Sequence, residues 1–253
     1  MNRISTIISL FVFTFASLIQ ADSTFVDSDE SLVFSYGFEE MVSSNYIDRG
    51  MSYNNGIILQ PSAWLSYNNF SFTVWGNMVA ADFDGNVKRH EVDFIFAWYK
   101  AIDNFFIEPS VYYCVYPNQT DWIPTAETNI KLAYNLSAIE IYTNLRADIL
   151  EYKGSISGDI GFCYEFLNKE SFTASLDMNS GWTNDEFNNV NYGTTEPGTV
   201  FQYLSFAISA NYYLSDYFYI NPRVEYSYSI TELLKSISGT SLSNIGLRVG
   251  FEF

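Results

Sequence analysis

From about residue 32 onward, apolar and polar residues alternate in runs of about ten, the period of a strand with one oily and one wet face. Phe70, Phe72, Val74, Gly76 and Met78 interleave with Ser71, Thr73, Trp75 and Asn77. Ile139, Ile141, Thr143 and Leu145 oppose Glu140, Tyr142, Asn144, Arg146 and Asp148, and Ile245, Leu247, Val249, Phe251 and Phe253 oppose Asn244, Gly246, Arg248, Gly250 and Glu252. The pattern predicts twelve strands, near 32–43, 57–67, 70–80, 89–100, 105–116, 126–136, 138–149, 155–166, 171–182, 200–214, 217–230 and 241–253. Most match the ~9–11 residues that cross a bilayer at a tilt.

The links between these strands alternate in length. Short ones fall at 68–69, 101–104, around 137, at 167–170 and at 215–216. Long ones fall at 44–56, 81–88, 117–125, 150–154, 183–199 and 231–240. Sorting of this kind belongs to an up-and-down barrel with short periplasmic turns and long outer loops, and it places both termini in the periplasm. An unpaired backbone N–H in hydrocarbon costs several kcal/mol, so the sheet must close on itself and the first strand must pair with the last. The expected fold is therefore all-β: a closed antiparallel transmembrane barrel of about twelve strands over 32–253. Pro61, Pro109 and Pro222 fall inside strands on the outward face, and each lacks a ladder donor, which predicts local bulges. The similar runs around Pro109 and Pro222 are either an internal hairpin repeat or two solutions to one local problem.

Residues 1–21 carry a positive end at Arg3, an apolar core from Ile4 to Leu18 and the small Ala21, the features of a cleaved signal peptide. Residues 22–31 then form a short periplasmic segment. A short membrane anchor is the alternative. Of the 253 residues, 20 are Tyr and 22 are Phe. Such residues suit the two interfaces of a membrane, and Tyr67, Trp98, Tyr134, Tyr164, Tyr212, Phe218 and Phe253 fall at one end of the outward face as a girdle. The formal charge of −17 excludes nucleic acid as a partner, because phosphate binding requires clustered Lys and Arg.

The inward faces collect the acids Glu91, Asp93, Glu108, Glu127, Glu140, Asp148, Asp159, Glu165, Asp177, Glu225 and Glu252 and the bases Lys131, Arg146, Arg223 and Arg248. Eleven acids against four bases would favour cations in a water-filled lumen. Facing charges could equally interlock as salt-bridged plugs. Trp64, Trp75, Tyr99 and Tyr142 also point inward and narrow any pore; they serve as interior packing or as stacking platforms. His90 is the single histidine, beside Arg89 and Glu91, and no serine is placed to make it a catalytic base. Cys114 and Cys163 fall on distant strands, which disfavours a disulfide. No metal ligand set, cofactor or catalytic group is expected; Asp82, Asp84, Gly85 and Asn86 depart from calcium-loop spacing and read as an acidic turn.

Two segments resemble the TorF family of porin-like outer-membrane proteins. S-N-Y-I-D-R-G at 44–50 is similar to that family's early S-x-Y-x-x-R-G element. V-W-G-N-M at 74–78, followed by E-V-D-F at 91–94, is similar to its V-W-x-S-N and E-V-D-L-Y elements. Asp48 and Asn77-Met78 depart from the family pattern. The resemblance implies a barrel in the outer membrane, marks Tyr46, Arg49, Gly50, Trp75, Glu91 and Asp93 as family-typical, and implies no catalysis. The expected partners are outer-membrane lipid, the barrel-assembly machinery through the C-terminal Phe253, and a small solute of unknown identity. The expected function is a narrow passive channel for small cationic or neutral solutes; the alternative is a closed structural or surface-interaction barrel.

Overall fold

The computed structural model describes residues 34–82, 89–119, 122–194, 198 and 201–253. The expected leader at 1–21, the segment 22–31 and the acidic turn at 84–86 lie outside them. Twelve strands run up and down: β1 (Phe34–Asp48), β2 (Met51–Tyr67), β3 (Phe70–Asp82), β4 (Glu91–Trp98, continued by Lys100–Ile102), β5 (Phe105–Val115), β6 (Thr125–Leu136), β7 (Ile139–Asp148), β8 (Ile156–Lys169), β9 (Phe172–Thr183), β10 (Phe201–Tyr213), β11 (Phe218–Ser229) and β12 (Ser241–Glu252). Each is antiparallel to its neighbours, and β1 pairs with β12 from Gly37↔Glu252 to Ser43↔Gly246, so the sheet has no edge. At this seam Tyr36 and Phe253 exchange backbone hydrogen bonds of 3.0 and 2.9 Å. Their rings stack at 5.4 Å, and Phe38 stacks on Phe251 at 5.0 Å.

The alternation sorts as the sequence predicts. On β4 Glu91, Asp93, Ile95 and Ala97 are buried while Phe94 and Phe96 are exposed; on β12 Ile245 and Leu247 are exposed while Asn244 and Glu252 are buried. A barrel with an apolar outside and a polar inside is inverted relative to a water-soluble one and suits a hydrocarbon surround. Within the expected girdle, Tyr67, Tyr134, Tyr164, Tyr212 and Phe253 are all exposed near the end where β1 begins and β12 finishes. Tight turns close that end, and Asn68, Asp103 and Ser137 take positive φ there, as two-residue hairpins of matching twist require.

The prolines correct one expectation. They cause gaps, not bulges. Pro109 faces outward opposite Trp98, and β4 loses its pairing there between Trp98 and Lys100 while the register on either side is unchanged. Pro222 interrupts β10–β11 in the same way, between Ser209↔Arg223 and Tyr212↔Ile220. Pro61 does so between Leu59↔Met78 and Ser62↔Trp75. A missing N–H deletes one bond on one side but adds no residue, so the facing strand need not slip. The true register shifts lie elsewhere, at Ser43/Asn45, Tyr46/Ile47, Ile57/Ile58, Ala174/Ser175 and Gly181/Trp182.

A second correction concerns residues 44–56. They form no loop. β1 and β2 continue through them to a two-residue turn at Arg49 and Gly50, both at positive φ (50° and 78°). Two register shifts fall in this stretch and its few apolar residues, Ile47 and Met51 among them, are scattered among polar ones, so the two-residue period that betrays a strand elsewhere is missing. Two other long links carry helices. α1 (Asp185–Tyr192) is capped by Asn184, whose side chain accepts from the Phe187 N–H, and ends at Gly193 with φ 67°. α2 (Glu232–Ser238) is capped by Thr231. Asn-Asp-Glu before a turn of helix and Gly after it are ordinary helix punctuation, and the polar setting obscures them.

Candidate functional site

The barrel encloses a cavity of about 370 Å³ to which all twelve strands contribute. Glu91, Asp93, Glu108, Glu127, Lys131, Arg146, Asp159, Asp177, Arg223, Glu225 and Arg248 line it, all of them inward on the sequence pattern. Glu140, Asp148, Glu165 and Glu252 do not. Glu140 is buried on the inner face against Lys131 (3.1 Å). Asp148 holds its own loop, accepting from the Thr125 hydroxyl and from the backbone N–H groups of Leu150 and Tyr152. Glu165 sits by the 170–171 turn and accepts from Asn168. Four further charged groups join the cavity: Glu39 and Asp48 from β1, Arg49 from the hairpin turn and Arg89 from the segment before β4. Glu39 is legible from its neighbours, since exposed Phe38 and Val42 put it on the inner face. Arg49 and Arg89 are not, because loop geometry brings them in.

The cavity therefore carries nine carboxylates (Asp48 completes the set) against six cations, in place of the eleven and four expected from strand faces alone. Every cation has a carboxylate. Arg89 reaches Glu91 at 2.8 Å, Arg146 reaches Asp159 at 3.0 Å, Arg248 approaches Glu39 at 3.6 Å, and Arg223 approaches Glu225 at 3.7 Å. Lys131 takes Glu140, and Arg49 clasps Glu127 through both terminal nitrogens, Nη1 lying 3.1 Å from Oε1. Among the described residues Asp93, Glu108 and Asp177 make no ion pair, and Asp177 instead accepts from the Tyr142 hydroxyl at 3.0 Å. Interlocked pairs and surplus carboxylates, alternatives on the sequence, are both present.

At the loop end the β1–β2 hairpin bends across the lumen. Its turn meets both walls: Arg49 holds Glu127 of β6, while Gly50 lies so close to the Tyr203 ring of β10 that a Cβ would stand 2.8 Å from it. Met51, Tyr203 and Leu234 of α2 form a small apolar cluster beneath the turn, and the Arg49 guanidinium lies 5.2 Å from the Phe187 ring of α1. Burial opposes the charge of Arg49, but Glu127 and then Asp48 outweigh it and raise its pKa well above the ordinary value. Arg89 is held similarly. It lies 4.2, 4.7 and 5.1 Å from the rings of Tyr53, Trp122 and Tyr116, and, although burial opposes its charge, Glu91 keeps its pKa well above the ordinary range. His90 takes no part in the cavity lining.

The six residues singled out by resemblance come together on this wall. Tyr46, Arg49, Gly50, Trp75, Glu91 and Asp93 all line the cavity. Tyr46 donates to Glu91 at 3.0 Å and packs on Trp75 at 5.8 Å, and Trp75 stands opposite Asp93 in the β3–β4 ladder. Trp75 and Tyr142 face the cavity as expected, whereas Tyr99 stacks on Phe106 at 6.1 Å beside the turn at Asn68 and Asn69, and Trp64 covers Gly37.

No family model matches the chain, and no curated protein does. Among solved structures it is similar to NanC porin, at 14% identity over 85% of this chain and 98% of that one, with a TM-score of 0.52. It is also similar to KdgM porin in complex with disordered oligogalacturonate (11% identity, 87% and 98% covered, TM-score 0.49). A third is the Acinetobacter baumannii outer membrane protein Omp33 (7%, 87% and 98%, TM-score 0.44). At such identities the likeness to NanC porin speaks to the fold alone: a closed, all-β, twelve-strand antiparallel barrel.

Proposed function

We propose that the chain is an outer-membrane channel, narrow and passive, that conducts small cationic or neutral solutes. One observation carries this: a lumen cavity that every strand lines, whose carboxylates outnumber its cations by three. In a confined, low-dielectric cylinder an excess of fixed negative charge lowers the energy of a cation relative to an anion. The apolar exterior, the girdle and the barrel fold support the location, and the short turns at the end where β1 begins and β12 finishes support a periplasmic placement of that end. The exposed C-terminal Phe253 in the closing seam is the feature we assign to recognition by the barrel-assembly machinery. The TorF-like elements fit the same reading, since their residues form one wall of the lumen. The channel is read as non-enzymatic and without a cofactor for transport.

Planar-bilayer recording of the purified barrel tests the proposal. Discrete conductance steps with a reversal potential displaced toward the cation potential are expected under a salt gradient. A folded barrel that gives no steps removes it. The arched β1–β2 hairpin favours a second reading, a closed surface-interaction barrel, because its turn touches β6, β10 and α1 at once. Steps that arise only when Arg49 is replaced would support that reading.

A further inference from the structure

We infer that Glu91, Asp93 and Cys114 form a site for one borderline-soft divalent cation of the Zn²⁺ or Cd²⁺ class, set into the lumen wall. One potential ligand atom from each residue lies within 4.8 Å of the others. Strand geometry explains the grouping: Asp93 and Cys114 are directly opposite in the β4–β5 ladder, and Glu91 lies two residues from Asp93 on the same face. All three are buried, at 3% exposure for Glu91, 9% for Asp93 and 6% for Cys114.

Independent support comes from Asp93. Its Oδ1 is buried and has no hydrogen-bond donor among the described residues; the Cys114 thiol hydrogen-bonds to the same carboxyl, and its proton is the one that binding would release. A buried carboxylate oxygen without a donor is costly, so it marks a place for a cation. Arg89 does not fill it, being engaged with Glu91 and stacked among Tyr53, Trp122 and Tyr116. Glu91 retains ligating capacity. It accepts from Arg89 at 2.8 Å and Tyr46 at 3.0 Å, two of roughly four lone-pair positions on a carboxylate. Those two donors then orient it as outer partners.

Charge and ligand chemistry select the ion. With Glu91 balanced by Arg89, Asp93 and a Cys114 thiolate supply two negative charges, which a divalent ion neutralises. Binding releases the thiol proton to solvent. A sulfur donor beside two carboxylates suits Zn²⁺ or Cd²⁺ and disfavours Mg²⁺ and Ca²⁺, which take oxygen. The fourth position is open to water from the lumen. The site does not depend on transport and is assayed without it.

Cadmium titration of the barrel refolded in detergent tests the inference through the ultraviolet thiolate-to-cadmium band. The expected result is a band that saturates at one equivalent per chain, persists in Cys163→Ser and is absent from Cys114→Ser. Asp93→Asn should weaken the affinity by at least about tenfold, since even outer partners of metal ligands are commonly worth that much. No band from folded wild-type protein would overturn the site, as would a band that survives Cys114→Ser or an affinity that Asp93→Asn leaves unchanged. Should Cys114→Ser fail to fold, Asp93→Asn decides the question. Loss of the site would leave the conductance proposal untouched, and absence of conductance would leave the site untouched.

Discussion

The clasp between Arg49 and Glu127 is the contact on which the shape of the mouth depends, and it can be weighed. Two unit charges about 3 Å apart at an effective dielectric near 20 attract by roughly 5 kcal/mol. Their side chains are 14% and 22% exposed, so much of that gain is offset by lost hydration. A net coupling of about 1.5–3 kcal/mol remains for a two-pronged, charge-assisted pair. Against it stands the left-handed backbone at Arg49, φ 50°, which costs a non-glycine residue roughly 1–2 kcal/mol. The test is a double-mutant cycle of Arg49→Ala and Glu127→Gln, read by reversible urea unfolding in lipid vesicles. Arg49→Gly separates the two contributions: it loses the clasp but recovers the strain, so it should be more stable than Arg49→Ala by about 1 kcal/mol. In bilayer recordings both Arg49 variants should conduct more than wild type, because the turn loses its hold on β6. A coupling below about 0.5 kcal/mol, with conductance unchanged, would show that the hairpin rests over the lumen without being held there by this pair.

The other predictions follow from the same wall and ladder. Glu108→Gln combined with Asp177→Asn should lower the cation-to-anion permeability ratio read from reversal potentials, because it removes two of the carboxylates that lack an ion pair; an unchanged ratio would place the selectivity elsewhere. Pro109→Val should restore a ladder donor opposite Trp98, stabilise the barrel by about 0.5–1.5 kcal/mol and slow amide exchange across 98–100. Phe253→Ala removes stacks on Tyr36 (5.4 Å) and Tyr217 (5.5 Å). At roughly 0.5–1.5 kcal/mol per aromatic pair, unfolding should become easier by about 1–3 kcal/mol, and a smaller loss would mean that backbone pairing alone holds the seam. Gly161→Ala should spread the β8–β9 pairing and displace Tyr142 from Asp177, because a Cβ there would stand 2.6 Å from the Met178 carbonyl oxygen and 2.7 Å from the Tyr142 ring, and near-ultraviolet circular dichroism would register the change.

Legibility divides along the barrel axis. Within the apolar band each strand has oil on one side and lumen on the other, so alternation alone assigns Glu108, Lys131, Arg146, Asp159 and Arg223 to the inside. Even Glu39, absent from the sequence-derived set, follows from Phe38 and Val42. Above the band neither face meets oil, register shifts interrupt the alternation and the code lapses. The β1–β2 extension is therefore invisible as strand, α1 is hidden in a polar link, and Asp148 gives no sign that it serves its own loop.

What the sequence determined by itself is the cylinder: strand number, antiparallel order, closure and the sorting of side chains to two environments. Hydrocarbon imposes that sorting at every position, and the backbone has no alternative but to pair all round. The tertiary structure decided the charge balance of the lumen, the bridging of its mouth by Arg49 and the meeting of Glu91, Asp93 and Cys114. Those depend on which residues of different strands share a height and where a turn comes to rest. Distances across a closed sheet are set by shear and loop packing, to which a one-dimensional pattern carries no reference.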